Sequence, residues 1–131
     1  FCNSDTSVPV SKISNFIEDA YCAIQKIYPN LRINSYGHIG DGNIHLNVLP
    51  PLEISKDDFL KSNPKVIEQV RMAINETTHL LGGSISAEHG IGRLKTKDLE
   101  IYAKKARLKA IKSIKSALDP NNIMNPGVII P

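Results

Sequence analysis

Residues 36–48 constrain the fold more than any other part of this chain. They read Tyr-Gly-His-Ile-Gly-Asp-Gly-Asn-Ile-His-Leu-Asn-Val. From residue 43 onward, polar and apolar residues alternate with a period of two, which predicts a strand with one face toward a core. Ile44, Leu46 and Val48 form the apolar face. The polar face carries Asn43, His45 and Asn47.

A turn rich in glycine precedes this strand and contains residues 40–43, where glycine permits a positive φ. The segment therefore predicts a β-hairpin that brings His38 and His45 close together. Two converging imidazoles suggest a divalent metal site of imidazole and carboxylate type. The alternative is that both histidines are structural.

A second stretch, residues 83–93, supplies a candidate third ligand. Its sequence, Gly-Ser-Ile-Ser-Ala-Glu-His-Gly-Ile-Gly-Arg, predicts a short strand over residues 84–87 that ends at Glu88. Three protein ligands leave a coordination position open, as in catalytic metal sites. His89 is then available for proton transfer.

The remaining segments indicate the fold class. Apolar residues recur at helical spacing over residues 11–28, 64–81 and 98–118, with Ile114 and Leu118 among those expected to pack inward. Residues 50–63 are polar and contain prolines, which predicts a surface loop. With a short strand over residues 7–10, the order matches a ferredoxin-like α+β fold. Its antiparallel sheet would carry helices on one face and an extra C-terminal helix.

Composition narrows the function classes. The 131 residues suffice for one domain, and a net charge of +3 is too small to indicate a nucleic-acid partner. Two cysteines outside any Cys-x-x-Cys pair disfavour a disulfide framework and favour a reducing compartment. No apolar run approaches the roughly 20 residues that span a bilayer. The start at Phe1, without an initiator Met, suggests a piece of a longer protein.

Three motifs together resemble the C-terminal domain of the FAD-linked oxidases. They are Gly-His-Ile-Gly-Asp-Gly-Asn-Ile-His from residue 37, Ser-Ala-Glu-His-Gly-Ile-Gly from residue 86, and Leu-Asp-Pro with Ile-Met-Asn-Pro-Gly from residue 118. This family includes D-lactate dehydrogenases, D-2-hydroxyglutarate dehydrogenases and the glycolate oxidase FAD subunit. The resemblance implies that residues 1–131 form the domain that binds the D-2-hydroxy acid, and that a separate, absent N-terminal domain binds FAD.

The resemblance also implies roles for individual residues. His38, His45 and Glu88 look like the family's metal ligands, usually to zinc. Asn47 looks like a substrate contact, and His89 like the catalytic base beside the substrate. The tail around Asn125 looks like the part that returns toward FAD.

Further partners would be the FAD-binding domain of the same protein and an electron acceptor that the sequence does not define. We expect the location to be cytoplasmic, or the mitochondrial matrix in a eukaryote, and the isolated chain to be inactive.

Two other classes of function fit the residues alone. A ferredoxin-like domain can bind a small ligand without catalysis. A hydrolase can use a zinc-bound water, provided that its site is open and needs no flavin. An upstream flavin domain would separate the oxidase from both alternatives.

Overall fold

The computed structural model describes residues 1–130; Pro131, the last residue of the predicted domain, lies outside the described residues. The chain divides into two compact units, Phe1–Glu88 and a second unit that begins at His89. The first unit contains a four-stranded antiparallel sheet and three α-helices, and the second contains two further helices. This mixture of helices with an antiparallel sheet confirms the predicted α+β class.

The sheet is built around its longest strand. Strand β4 (Asn43–Leu49) pairs along one edge with β3 (Arg32–Tyr36), which precedes it in the chain. Along the other edge it pairs with β1 (Cys2–Asn3) and then β2 (Thr6–Ser7). The predicted hairpin is therefore present, and its second strand, β4, is the central strand of the sheet. The strand predicted over residues 7–10 is present only at its first residue, because β2 ends at Ser7 and a 3-10 helix begins at Val10.

Three α-helices complete the first unit. They are α1 (Ile13–Ile27), α2 (Lys56–Ser62) and α3 (Val66–Leu80). The core between the sheet and the helices contains the even-numbered residues of β4 together with fully buried side chains such as Phe16 and Ile74. The apolar face of β4 is thus the core face, as the alternation predicts.

The polar face of β4 is less exposed than its composition suggests. Asn43 and His45 are only 3% and 8% exposed, whereas Asn47 is intermediate. Buried polar groups need hydrogen-bond partners, because loss of water is otherwise not compensated. The contacts of these two side chains therefore define the candidate site.

Two predictions for the first unit are wrong. Within the loop predicted over residues 50–63, Ser55 accepts a hydrogen bond from Asp58 N–H and starts helix α2, which buries Phe59. The strand predicted over residues 84–87 is reduced to one bridge between Ser84 and Ser7. At this bridge, Ser7 N–H donates to the Ser84 carbonyl and Ser84 N–H donates to the Ser7 carbonyl.

The second unit differs from the single helix predicted over residues 98–118. It contains α4 (Thr96–Tyr102) and α5 (Lys105–Leu118), because Ala103 and Lys104 have extended backbone angles. The inward packing expected for Ile114 and Leu118 is also wrong, since these side chains are 60% and 72% exposed. The partly buried face of α5 instead contains Leu108, Ile111 and Lys115.

Helix α5 ends at an ion pair between Lys115 and Asp119. Asp119 is buried, forms an ion pair with Lys115, and accepts hydrogen bonds from the backbone N–H groups of Ile123 and Met124. The Lys115 ammonium, followed by these two N–H donors, lowers the pKa of the Asp119 carboxyl. The Leu-Asp-Pro motif therefore fixes the end of the helix and the start of the tail.

The turn between β3 and β4 needs glycine at position 42 for steric reasons. Gly42 has a φ of +72°, and a Cβ there would collide with the carbonyl oxygen of Val8. Val8 N–H in turn donates to the Gly42 carbonyl at 3.0 Å, so the turn is bound tightly to the residue after β2. At Gly40, two residues earlier, φ is not positive, and an added Cβ would meet no atom of the described residues within 4 Å.

We predict that Gly42→Ala lowers the free energy of unfolding by about 2 kcal/mol or more. An alanine there would have to adopt a left-handed backbone conformation, and its Cβ would clash with the Val8 carbonyl. Gly40→Ala is the matched control and should leave stability within about 0.5 kcal/mol. Urea unfolding followed by far-UV circular dichroism gives both values. Equal stability of the two variants would contradict the steric role of Gly42.

Candidate metal centre

The hairpin places the two predicted histidines on neighbouring parts of the sheet. His45 lies in β4 opposite Tyr36 of β3, and the two rings stack with centroids 5.1 Å apart. His38 precedes a short 3-10 turn, Ile39–Asp41, and its side chain is 71% exposed. One imidazole is therefore fixed in the sheet, and the other lies at its solvent-exposed end.

The hydrogen bond from His45 to Ser4 determines the tautomer of the neutral ring. His45 Nδ1 lies 3.1 Å from the carbonyl oxygen of Ser4. A carbonyl oxygen only accepts hydrogen bonds, so Nδ1 carries the proton. In the neutral ring, Nε2 then has a lone pair, as a metal-ligating nitrogen requires.

Glu88 brings its carboxylate to both histidines. Glu88 Oε1 lies 3.4 Å from His38 Nε2, and Oε2 lies 3.9 Å from His45 Nε2. Asn43 Nδ2 donates a hydrogen bond to Oε1 and lies 3.5 Å from His45 Nε2. The three predicted ligands thus converge at one end of the hairpin.

The Glu88 backbone is held by Asp5, which lies between β1 and β2. The buried carboxylate of Asp5 accepts from Glu88 N–H, with Oδ1 at 3.1 Å and Oδ2 at 3.2 Å. Ser86 Oγ also donates to Asp5 Oδ2 at 3.4 Å. These contacts fix Glu88 although residues 84–87 do not form a full strand.

The donor set is of the type that binds zinc, and two of its spacings can be compared with those between ligands of one bound zinc. Two ligands bonded at about 2.0–2.1 Å to one tetrahedral zinc lie about 3.3 Å apart. The separations of 3.4 and 3.9 Å between Glu88 oxygens and the histidine nitrogens are close to or slightly above that value. Within residues 1–130, however, no three or more His, Cys, Asp or Glu side chains form a group that could hold a metal ion as they are arranged in this structure. Metal binding therefore stays a prediction.

Asn43 provides an independent indication of an additional polar group at this place. Its Oδ1 is buried and has no hydrogen-bond partner among residues 1–130. An unsatisfied buried acceptor costs free energy, and native proteins seldom leave one without water, an ion or a ligand. A group bound beside Asn43 would remove that cost.

Three residues of the centre were not among the predicted site residues. Asn43 and Tyr36 are in the hairpin, and the pairing register would have placed Tyr36 opposite His45. Asp5 lies 83 residues before Glu88, so its contact depends on long-range strand pairing that no local pattern indicates. Asn47, the predicted substrate contact, donates to the Tyr36 hydroxyl at 3.4 Å.

The other two predicted residues belong to the second unit. His89 follows Glu88 directly and is exposed. Asn125 has a φ of +48° and accepts from Val128 N–H through its carbonyl oxygen, which forms the turn of the Asn-Pro-Gly motif. Their roles stay predictions. His79, on α3, is exposed, as expected for a histidine outside the site.

Comparison with known proteins identifies the family. The sequence model of the FAD linked oxidases, C-terminal domain, matches residues 2–129. This chain belongs to that family. The resemblance predicted from the motifs is thereby confirmed over nearly the whole chain of this FAD-linked oxidase domain.

Relatives of this FAD-linked oxidase domain are named as dehydrogenases or as an oxidase subunit. The D-2-hydroxyglutarate dehydrogenase of Stutzerimonas stutzeri is 40% identical over 126 residues, which are 96% of this chain and 26% of that protein. The glycolate oxidase subunit GlcD of Bacillus subtilis is 38% identical, over 94% of this chain and 24% of that protein. The D-lactate dehydrogenase of Anaerostipes hadrus is 32% identical, over 95% and 25% respectively.

This chain therefore spans about a quarter of the length of the curated relatives that it matches.

In residues 1–130, no helix combines the length and the apolar character that crossing a bilayer requires.

Proposed function

We propose that this chain is the substrate- and metal-binding domain of a flavoenzyme that oxidises a D-2-hydroxy acid to the 2-oxo acid. Membership of the FAD-linked oxidase family supports the class of reaction. The convergence of Glu88 with His38 and His45 is the observation that carries the metal assignment.

His38, His45 and Glu88 would hold a divalent metal, most simply zinc. His45 is the anchor because its ring is buried and its Nδ1 proton is held by the Ser4 carbonyl. His38 is exposed and completes the set from the turn. Two imidazoles and one carboxylate are the ligand set of catalytic zinc sites, in which a further position stays open.

Oxidation of a 2-hydroxy acid removes a hydride from C2 and a proton from the hydroxyl. When bound, the metal would polarise the hydroxyl and orient the acid, and FAD would accept the hydride. His89 would take the hydroxyl proton, which imidazole accepts near neutral pH. Asn47 lies on the polar face of β4 and is only partly buried. Its side-chain amide would contact the substrate.

The remaining assignments concern the rest of the enzyme. FAD would be bound mainly by an N-terminal domain of the same protein, with Asn125 on the side of the C-terminal domain. Such a protein would act in the cytoplasm, or in the mitochondrial matrix of a eukaryote. Relatives named as mitochondrial D-2-hydroxyglutarate dehydrogenases of Oryza sativa and Danio rerio support the second location for eukaryotes.

In the full-length protein, His45→Ala and His38→Ala should each remove bound metal and most of the turnover, because each deletes one ligand nitrogen. His79→Ala is the matched control, since it removes an exposed histidine outside the centre. Elemental analysis after gel filtration measures metal per flavin. Wild-type metal content in both site variants would show that the histidine pair is structural.

His89→Gln should separate proton transfer from metal binding. The full-length variant should keep its metal and still bind the hydroxy acid, but flavin reduction should slow by about 10²–10⁴-fold. Glu88→Gln should instead weaken metal binding. A normal single-turnover rate of flavin reduction in His89→Gln would place the base elsewhere.

A further inference from the structure

An unusual pair of residues interrupts the strand pairing beside His45. Strands β1 and β2 pair with β4 in one continuous register, since Asn3 lies opposite Asn47 and Thr6 lies opposite Ile44. Ser4 and Asp5 occupy the interval between the two strands without inserting an extra residue. The hydrogen bonding between the strands therefore changes at Ser4 and Asp5, whereas the register of the strands stays the same.

In the pairing of Ser4 with Leu46, the Ser4 hydroxyl takes the place of the Ser4 carbonyl as a hydrogen-bond acceptor. Ser4 N–H donates to the Leu46 carbonyl at 3.0 Å, as in a regular antiparallel pair. The return bond differs, because Leu46 N–H donates to the Ser4 hydroxyl oxygen at 2.9 Å. The Ser4 carbonyl, which would accept that bond in a regular ladder, instead accepts from His45 Nδ1 at 3.1 Å.

Asp5 holds the backbone of Glu88, the proposed carboxylate ligand. Its carboxylate is 4% exposed and receives Glu88 N–H on both oxygens. Burial of a carboxylate is unfavourable unless its hydrogen bonds compensate for the lost water, so stability alone gives little reason to retain one here. The hydrogen bonds that Asp5 accepts hold the Glu88 backbone and Ser86.

We propose that Ser4 and Asp5 are positioning residues for the metal centre. The Ser4 hydroxyl satisfies the ladder so that the Ser4 carbonyl can fix the tautomer and orientation of His45, while Asp5 fixes Glu88. This inference rests on the proposed metal site, and it adds two residues that touch neither metal nor substrate. Partners of this kind orient the ligands of metal sites, and their loss weakens metal binding by about 10–100-fold.

The test measures metal affinity in the full-length flavoprotein by competition with a chelator. Ser4→Ala and Asp5→Asn should each weaken Zn²⁺ binding about 10–100-fold. Ser4→Thr keeps the hydroxyl and should therefore avoid this roughly 10–100-fold loss of affinity. The visible absorption of the Co²⁺-substituted protein should change in Ser4→Ala and Asp5→Asn but not in Ser4→Thr.

Thr6→Val is the matched control for loss of strand pairing. It removes the buried hydrogen bond from Thr6 Oγ1 to the Ile44 carbonyl in the adjacent strand, without touching His45 or Glu88. This variant should melt at a lower temperature and still bind Zn²⁺ like the wild type. An equal loss of affinity in Thr6→Val would mean that general destabilisation, and not positioning, explains the effect.

His45→Ala in the same assay distinguishes failure of the positioning role from failure of the proposed metal site. If His45→Ala loses the metal while Ser4→Ala and Asp5→Asn bind it normally, the metal site stands and the positioning role is overturned. If His45→Ala also retains the metal, the proposed metal site itself fails, and the positioning role fails with it. If neither Ser4→Ala nor Asp5→Asn yields folded flavoprotein, the two residues are requirements of folding and the inference is rejected.

Discussion

The candidate metal centre depends on strand β4 being hydrogen-bonded along both of its edges. Pairing with β3 places Tyr36 beside His45, and pairing with β1 and β2 brings Ser4 and Asp5 against the polar face. The opposite face of the same strand is the apolar core. A strand fixed in this way cannot shift its register by one residue without exposing its core face, so the polar face is equally fixed.

Burial of polar side chains in the sheet is unfavourable for folding, and the contacts show how much of that cost is compensated. His45 and Asp5 have hydrogen-bond partners, whereas one oxygen of Asn43 has none among residues 1–130. Natural proteins retain such incompletely satisfied groups chiefly at functional sites. The unsatisfied amide lies next to Glu88 and His45, which is where we propose that the metal binds.

Local patterns predicted the parts of this structure that depend on periodicity. The alternation in residues 43–48 predicted β4, and the glycine-rich turn predicted the convergence of His38 and His45. Helix α2 escaped prediction because it is only two turns long and depends on one cap and one buried ring, Ser55 and Phe59. The exchange of acceptors at Ser4 could not be predicted, since it depends on a strand more than 40 residues away.

The central claim is that one metal ion is held by two imidazoles and one carboxylate. X-ray absorption at the zinc K-edge of the full-length flavoprotein tests it most directly, because the spectrum reports ligand type without relying on activity. The account predicts a first shell of nitrogen and oxygen at about 2.0–2.1 Å, with outer-shell scattering from two imidazole rings. A sulfur shell at about 2.3 Å, or a spectrum without imidazole scattering, would contradict it.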